Sequence, residues 1–339
     1  MNVCIRVDAS SNIGLGHAKR CLALAEGLVS NGVPVTVLYH QMPSVMVHEY
    51  ESKKIRCQSL SIGTWAESSD ADATLSRLNT DSDVTVLIVD HYKLGIEWEK
   101  RVRPGVEKMV VIDDWGDRPH DCDILIDQNL CEDPEERYKN ILPANCTRLI
   151  GPEYALLNQE IVQLKAQRRP SNKALISFGG SYEPEVKKVI QAISTCQDDW
   201  EWQLILGMIS DEAYEDVMRL MPKNIEVFRY VNNMHEFLCE AALCIGAGGS
   251  SNWERFYLGI PSIICAVSED QVPVARTIGL YDAAKVMPNA SVSSSAEYKA
   301  CIEGMTKSKL NYYSEKASNL IDGKGVSRIC QTIQTLDAS

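Results

Sequence analysis

Hydrophobic and polar positions alternate between two periods along this chain. Short β-branched runs at 3–7, 34–39 and 84–90 are each followed by a stretch with helical spacing, at 18–31, 44–52 and 96–103. Strand and helix alternating in this way predict parallel sheets with helices on both faces. In the first helix Ala18, Cys21, Leu22, Ala25, Leu28 and Val29 recur at intervals of three and four, an apolar stripe that Gly32 ends. Residues 151–172 carry a proline near each end and the polar run Lys165 to Asn172, and the alternation starts afresh at Lys173. Strands at 174–178, 203–206, 243–246 and 261–265, with helices at 183–195, 211–220 and 250–258, repeat the scheme. The chain after Ser294 reads as helical with a break at Gly323-Lys324-Gly325. Two α/β domains are expected, at 1–152 and 173–339, with a cleft between them.

Composition narrows the classes. With 339 residues, 45% of them hydrophobic and 24% charged, the chain suits two ordinary globular domains. A net charge of -12 argues against a nucleic-acid surface, yet a few amides at a helix terminus can still hold an anionic small ligand. The twelve cysteines are scattered, several inside apolar runs, and read as buried thiols. No CxxC or HExxH spacing occurs, so neither a metal nor another cofactor is expected. The start reads as a strand interrupted by charge and no apolar run reaches the length of a membrane span. A cytoplasmic monomer without stable membrane association is the expectation.

Two glycine-containing turns are the candidate chemistry. Ser10-Ser-Asn-Ile-Gly14-Leu-Gly16-His17 links the first strand to the first helix, where ligands of open parallel sheets sit. Lys19 replaces the third glycine of a dinucleotide fingerprint and the loop lacks the GK[ST] of a Walker A sequence, which removes the usual support for hydride or ATP chemistry. A structural capping role is open to His17, but an imidazole at a strand-to-helix turn is well placed as a general base. The second turn, Gly248-Gly249-Ser250-Ser251, offers amides and hydroxyls to a diphosphate, with Glu254 one helical turn on as a ribose acceptor. The same residues also read as a capping box. A sister turn, Phe178-Gly179-Gly180-Ser181, follows the first strand of that half. Asp90-His91-Tyr92, Asp113-Asp114-Trp115 and Asp127-Gln128-Asn129 end strands on the same rim as His17, with helix caps as the alternative for the aspartates.

Together Arg6-Val-Asp8, Ile13-Gly-Leu-Gly-His-Ala-Lys-Arg20, Val89-Asp-His-Tyr92, Ile112-Asp-Asp114, Cys122 to Asp127, Ser177-Phe-Gly-Gly180 and the Gly-Gly-Ser-Ser helix start resemble the pseudaminic-acid pathway hydrolases. The resemblance covers nearly the whole chain in order. Those enzymes remove UDP from UDP-2,4-diacetamido-2,4,6-trideoxy-β-L-altropyranose, so the resemblance implies a GT-B fold of two Rossmann-like domains. It further implies a catalytic His17, an active-site Tyr92 and UDP on the C-terminal domain. Asp270 stands beside Gln271 where the family often reads Asn-Gln.

The expected reaction is water attack on the anomeric carbon with His17 as base and UDP as leaving group, with Asp8 or Asp113 orienting the ring. Arg6, Gly14, Gly16, Arg20, Asn129, Gly179, Gly180, Gly248, Gly249, Ser250, Ser251, Glu254, Asp270 and Gln271 complete the expected substrate site. A GT-B glycosyltransferase and a non-catalytic nucleotide-sugar-binding protein are the alternatives.

Overall fold

The computed structural model describes residues 1–10, 13–80, 84–179, 183–207, 209–222, 224–231 and 233–337. It divides into two compact units, Met1–Gln159 with Gly323–Ser339, and Glu160–Asp322. The first holds strands β1 (Val3–Val7), β2 (Val35–Tyr39), β3 (Arg56–Ser59), β4 (Val86–Asp90), β5 (Lys108–Ile112), β6 (Ile124–Asp127) and β7 (Thr147–Ile150). Its helices in chain order are α1 (Gly16–Ser30), α2 (Ser44–Ser52), α3 (Glu67–Thr80), α4 (Ile96–Val102) and α5 (Pro134–Arg137). All seven strands are parallel, in the order β3-β2-β1-β4-β5-β6-β7. Every residue of β1 and β4 is buried, which is why these strands are apolar almost without interruption.

The pattern reading misses β3 and α3. Strand β3 is a partly exposed edge of sequence RCQS, and α3 buries Asp70, Ala71, Thr74 and Leu78, so neither shows an apolar stripe. The buried aspartate has a purpose: its carboxylate receives Arg6 Nε at 3.1 Å and Trp98 Nε1 at 3.0 Å.

The second unit opens in α6 (Gln159–Leu164) and contains β8 (Lys173–Ser177), α7 (Glu183–Ile193), β9 (Glu201–Ile205), α8 (Asp211–Arg219), β10 (Ile225–Phe228), α9 (Met234–Glu240) and β11 (Ala241–Ala247). There follow α10 (Ser251–Tyr257), β12 (Ser262–Cys265), α11 (Gln271–Leu280), β13 (Lys285–Val286), α12 (Ser295–Glu303) and α13 (Lys307–Ser318). These strands are again all parallel, in the order β10-β9-β8-β11-β12-β13.

The last helix, α14 (Gly325–Asp337), falls within the stretch expected in the second domain but packs in the first unit. Its Ile329, Cys330 and Ile333 share a core with Leu24 and Leu28 of α1. The close approach depends on Gly27, where a Cβ would stand 2.3 Å from Val326 Cγ1.

In each sheet the strand order reverses direction once, between β1 and β4 and between β8 and β11. At such a reversal neighbouring loops leave on opposite faces and open a crevice at the carboxyl ends of the strands. His17 follows β1, and the Gly248 turn follows β11.

Candidate functional site

Four neighbouring strands of the first sheet deliver aspartates to one edge: Asp8 follows β1, Asp90 closes β4, Asp113 follows β5 and Asp127 closes β6. His17, in the first turn of α1, meets the nearest of them on β4, its Nδ1 2.6 Å from Asp90 Oδ1. A carboxylate only accepts, so Nδ1 carries the proton toward Asp90, and in the neutral ring that leaves the lone pair on Nε2. Among the described residues Nε2 has no hydrogen-bond partner. Arg20, one turn further along α1, donates through Nε to Asp90 Oδ2 and through Nη2 to Asp90 Oδ1, both at 2.6 Å. Its Nη1 reaches Asp114 Oδ1 at 2.8 Å.

Asp114 extends the network. Its Oδ2 accepts from the Tyr92 hydroxyl at 2.8 Å and its Oδ1 from Asn129 Nδ2 at 2.8 Å. The Tyr92 ring stands edge-on to His17, with centroids 4.4 Å apart. Burial works against charge on Asp90, but Arg20 and His17 hold its carboxyl well below the usual carboxylate range. Asp114 is half-buried, and against the cost of desolvation Arg20 lowers its carboxyl. Asp127 goes the other way: burial, with Asp114 close by, pushes it up to about 6 in spite of Arg137. The Tyr92 phenol is raised far above its ordinary value by burial of the hydroxyl and by Asp114.

In the second unit the turn after β11 is held from α11. Gln271 Oε1 accepts from Gly248 N at 3.0 Å and from Val267 N at 3.2 Å, so one side chain ties two loops together. The amides of Gly249 and Ser250 have no partner among the described residues. Ser250 is the N-cap of α10 and makes no side-chain capping bond. Beneath the turn lies Arg255, only 2% exposed, with Nη2 on the Ala247 carbonyl at 2.8 Å and Nη1 3.3 Å from Cys244 Sγ, and bonded also to Asn252. No carboxylate faces it among the described residues. A buried guanidinium thus underlies a turn with open amides, an arrangement suited to an anion.

The model of the glycosyltransferase family 28 C-terminal domain matches residues 175–329. Among curated proteins, the UDP-2,4-diacetamido-2,4,6-trideoxy-beta-L-altropyranose hydrolase of Campylobacter jejuni is 28% identical over 53% of this chain. An uncharacterised protein of Methanocaldococcus jannaschii is 23% identical over 80% of it. The matches span 61% and 57% of those two relatives' lengths. Among solved structures, MurG of Acinetobacter baumannii superposes with a TM-score of 0.69 at 16% identity, over 99% of this chain and 100% of that one. A UGT transferase of Siraitia grosvenorii in complex with UDP gives 0.69 at 13% identity, over 98% and 100%. The chain has the GT-B fold.

Within this GT-B chain the expected site residues separate into groups. His17, Arg20, Tyr92 and Asn129 come together around Asp90 and Asp114. Gly14, with φ +83, and Gly16 lie just before His17. Gly248, Gly249, Ser250, Ser251 and Glu254 line the second turn, with Asp270 and Gln271 opening α11 beside it. Gly179 follows β8, while Gly180 and Ser181 lie outside the described residues.

One expectation is corrected. Asp8 and Asp113 do not orient His17: Asp8 binds Arg6 at 2.7 Å and the His40 and Gln41 amides, and Asp113 binds the Trp115 and Gly116 amides and Tyr138. Arg6 is fully buried between Asp8 and Asp70. Arg20 is paired with both Asp90 and Asp114. The aspartates that matter, Asp90 and Asp114, read from sequence as strand ends and helix caps. Asp90 closes an apolar strand and Asp114 lies two residues past the end of β5, and nothing else marks them.

Proposed function

We propose that this GT-B chain is a nucleotide-sugar hydrolase that releases UDP from UDP-2,4-diacetamido-2,4,6-trideoxy-β-L-altropyranose. The observation that carries the reading is His17, held through Nδ1 by Asp90 with Nε2 unpartnered among the described residues. A water oxygen attacks the anomeric carbon and gives its proton to Nε2, while the carbon–oxygen bond to the β-phosphate breaks and its electron pair leaves on UDP. Asp90 stabilises the imidazolium formed in that step, as a carboxylate does behind any histidine base. Direct attack by water inverts the anomeric configuration. The second unit holds the nucleotide, with the open Gly249 and Ser250 amides and Arg255 taking the diphosphate and Glu254 the ribose. The named Campylobacter relative and the sequence resemblance favour this chemistry, and the UDP bound by the transferase of like fold favours UDP as the nucleotide.

The family 28 domain match favours a second reading, transfer of the sugar to an acceptor hydroxyl by the same base. One experiment separates them: incubation with a panel of UDP-sugars and no acceptor, followed by NMR. Hydrolysis gives UDP and free sugar of inverted configuration at catalytic turnover. Release that occurs only after an acceptor is added assigns the chain to the transferases, and no release from any UDP-sugar under either condition removes both readings.

A further inference from the structure

Of the six tryptophans Trp115 alone is exposed, at 43%, whereas Trp98, Trp202 and Trp253 are fully buried. It is no isolated surface aromatic. Its ring centroid lies 5.4 Å from that of Tyr92, which in turn stands edge-on to His17. The loop that carries it is fixed. Asp113 Oδ2 accepts from Trp115 N at 3.3 Å and from Gly116 N at 2.8 Å, and Arg137 Nη2 donates to the Asp114 carbonyl at 2.6 Å. Gly116 takes φ +62, a conformation that a side chain would resist, with Arg137 3.2 Å from where its Cβ would be. A large exposed indole therefore stands on a fixed loop beside Tyr92, the ring that contacts the proposed base, its N–H without a partner among the described residues.

Resting on the hydrolase reading above, we propose that Trp115 is the platform for the sugar ring and selects pyranoses that turn a deoxygenated, C–H-rich face toward it. The negative face of an aromatic ring attracts the positive edge of C–H groups, and an apolar sugar face loses little hydration on stacking. A fixed platform also sets the height of the anomeric carbon relative to His17, because Tyr92 touches both rings.

Calorimetric titration tests this in a His17→Asn background, which prevents turnover, using UDP and a UDP-2-acetamido-2,6-dideoxyhexose as the two ligands. Adding Trp115→Ala is expected to weaken the UDP-sugar about tenfold or more and to leave UDP unchanged. Trp115→Phe should restore most of the loss, which no misfolded variant would do. If the parent binds the UDP-sugar and Trp115→Ala leaves that affinity intact, the platform is overturned and the hydrolase reading stands. An equal loss for UDP and UDP-sugar places the indole against the nucleotide and overturns the platform as well. Failure of the parent to bind either ligand overturns both.

Discussion

Asp90 Oδ1 sits 2.6 Å from His17 Nδ1, a contact made across 73 positions of chain by the end of β4 and the first turn of α1. The same carboxylate takes two bonds from Arg20, so the proposed base and its positioning cation share one acceptor. Replacing His17 by Asn should lower turnover by about two to four orders of magnitude, the usual contribution of a general base. Affinity for UDP should hold constant by calorimetry. Near wild-type turnover in the variant would reduce His17 to a structural role.

Asp90→Asn should lower kcat by roughly 10²- to 10⁴-fold, because an amide no longer fixes the tautomer with its lone pair on Nε2. It also leaves Arg20 with only Asp114, which should cost about 3–5 kcal/mol of stability in denaturant melts. Stability loss alone gives additive kinetics. The His17→Asn/Asp90→Asn double variant should instead be no slower than His17→Asn, since groups acting as one unit are non-additive. Additive losses in the kinetic cycle would separate Asp90 from the base.

Glu254→Ala should weaken UDP binding by roughly 1.5 to 3 kcal/mol, the value of hydrogen bonds to a charged group, with the thermal midpoint little changed. Titration calorimetry reads this directly. An unaltered affinity would move the nucleotide away from the Gly248 turn.

Asp127 gives a pH signature opposite to that of its neighbours. Its carboxyl is pushed up to about 6 by burial, above the roughly 3.9 of an unfolded chain. The stability it contributes is therefore fully present below about pH 4 and is lost as pH rises through 6, by up to about 3 kcal/mol. Asp8 and Asp90 are held low, so their contribution is present above about pH 4 and is lost on further acidification. Asp127→Asn should flatten the thermal midpoint between pH 4 and 6 and spare the steep acid limb. A profile identical to wild type would show that Asp127 does not titrate in that window.

Turnover should persist after exhaustive EDTA treatment, because the open amides and Arg255 are assigned the diphosphate charge and the chain lacks metal-ligand spacing. Loss on chelation with recovery on adding magnesium or manganese would assign that charge to a metal instead.

The pattern of the chain by itself determined the alternating α/β architecture, since buried parallel strands such as β4 must be apolar over most of their length, here Val86 to Val89, and α1 must carry a stripe. It also marked the two turns, because glycine beside His17 and at Gly248 has few other uses. It could not show that Asp90, and neither Asp8 nor Asp113, holds His17. All are aspartates at strand ends, and only the strand order, with β4 beside β1, brings one of them to the ring. Nor could it show that α14 returns to α1, a long-range contact that depends on the missing side chain at Gly27. Arg6 and Arg20 look alike in sequence, but one points into the sheet's interior against Asp70 and the other to its carboxyl edge against Asp90 and Asp114. Local periodicity sets the faces of strands and helices, whereas ion-pair partners are chosen by which elements the topology makes neighbours.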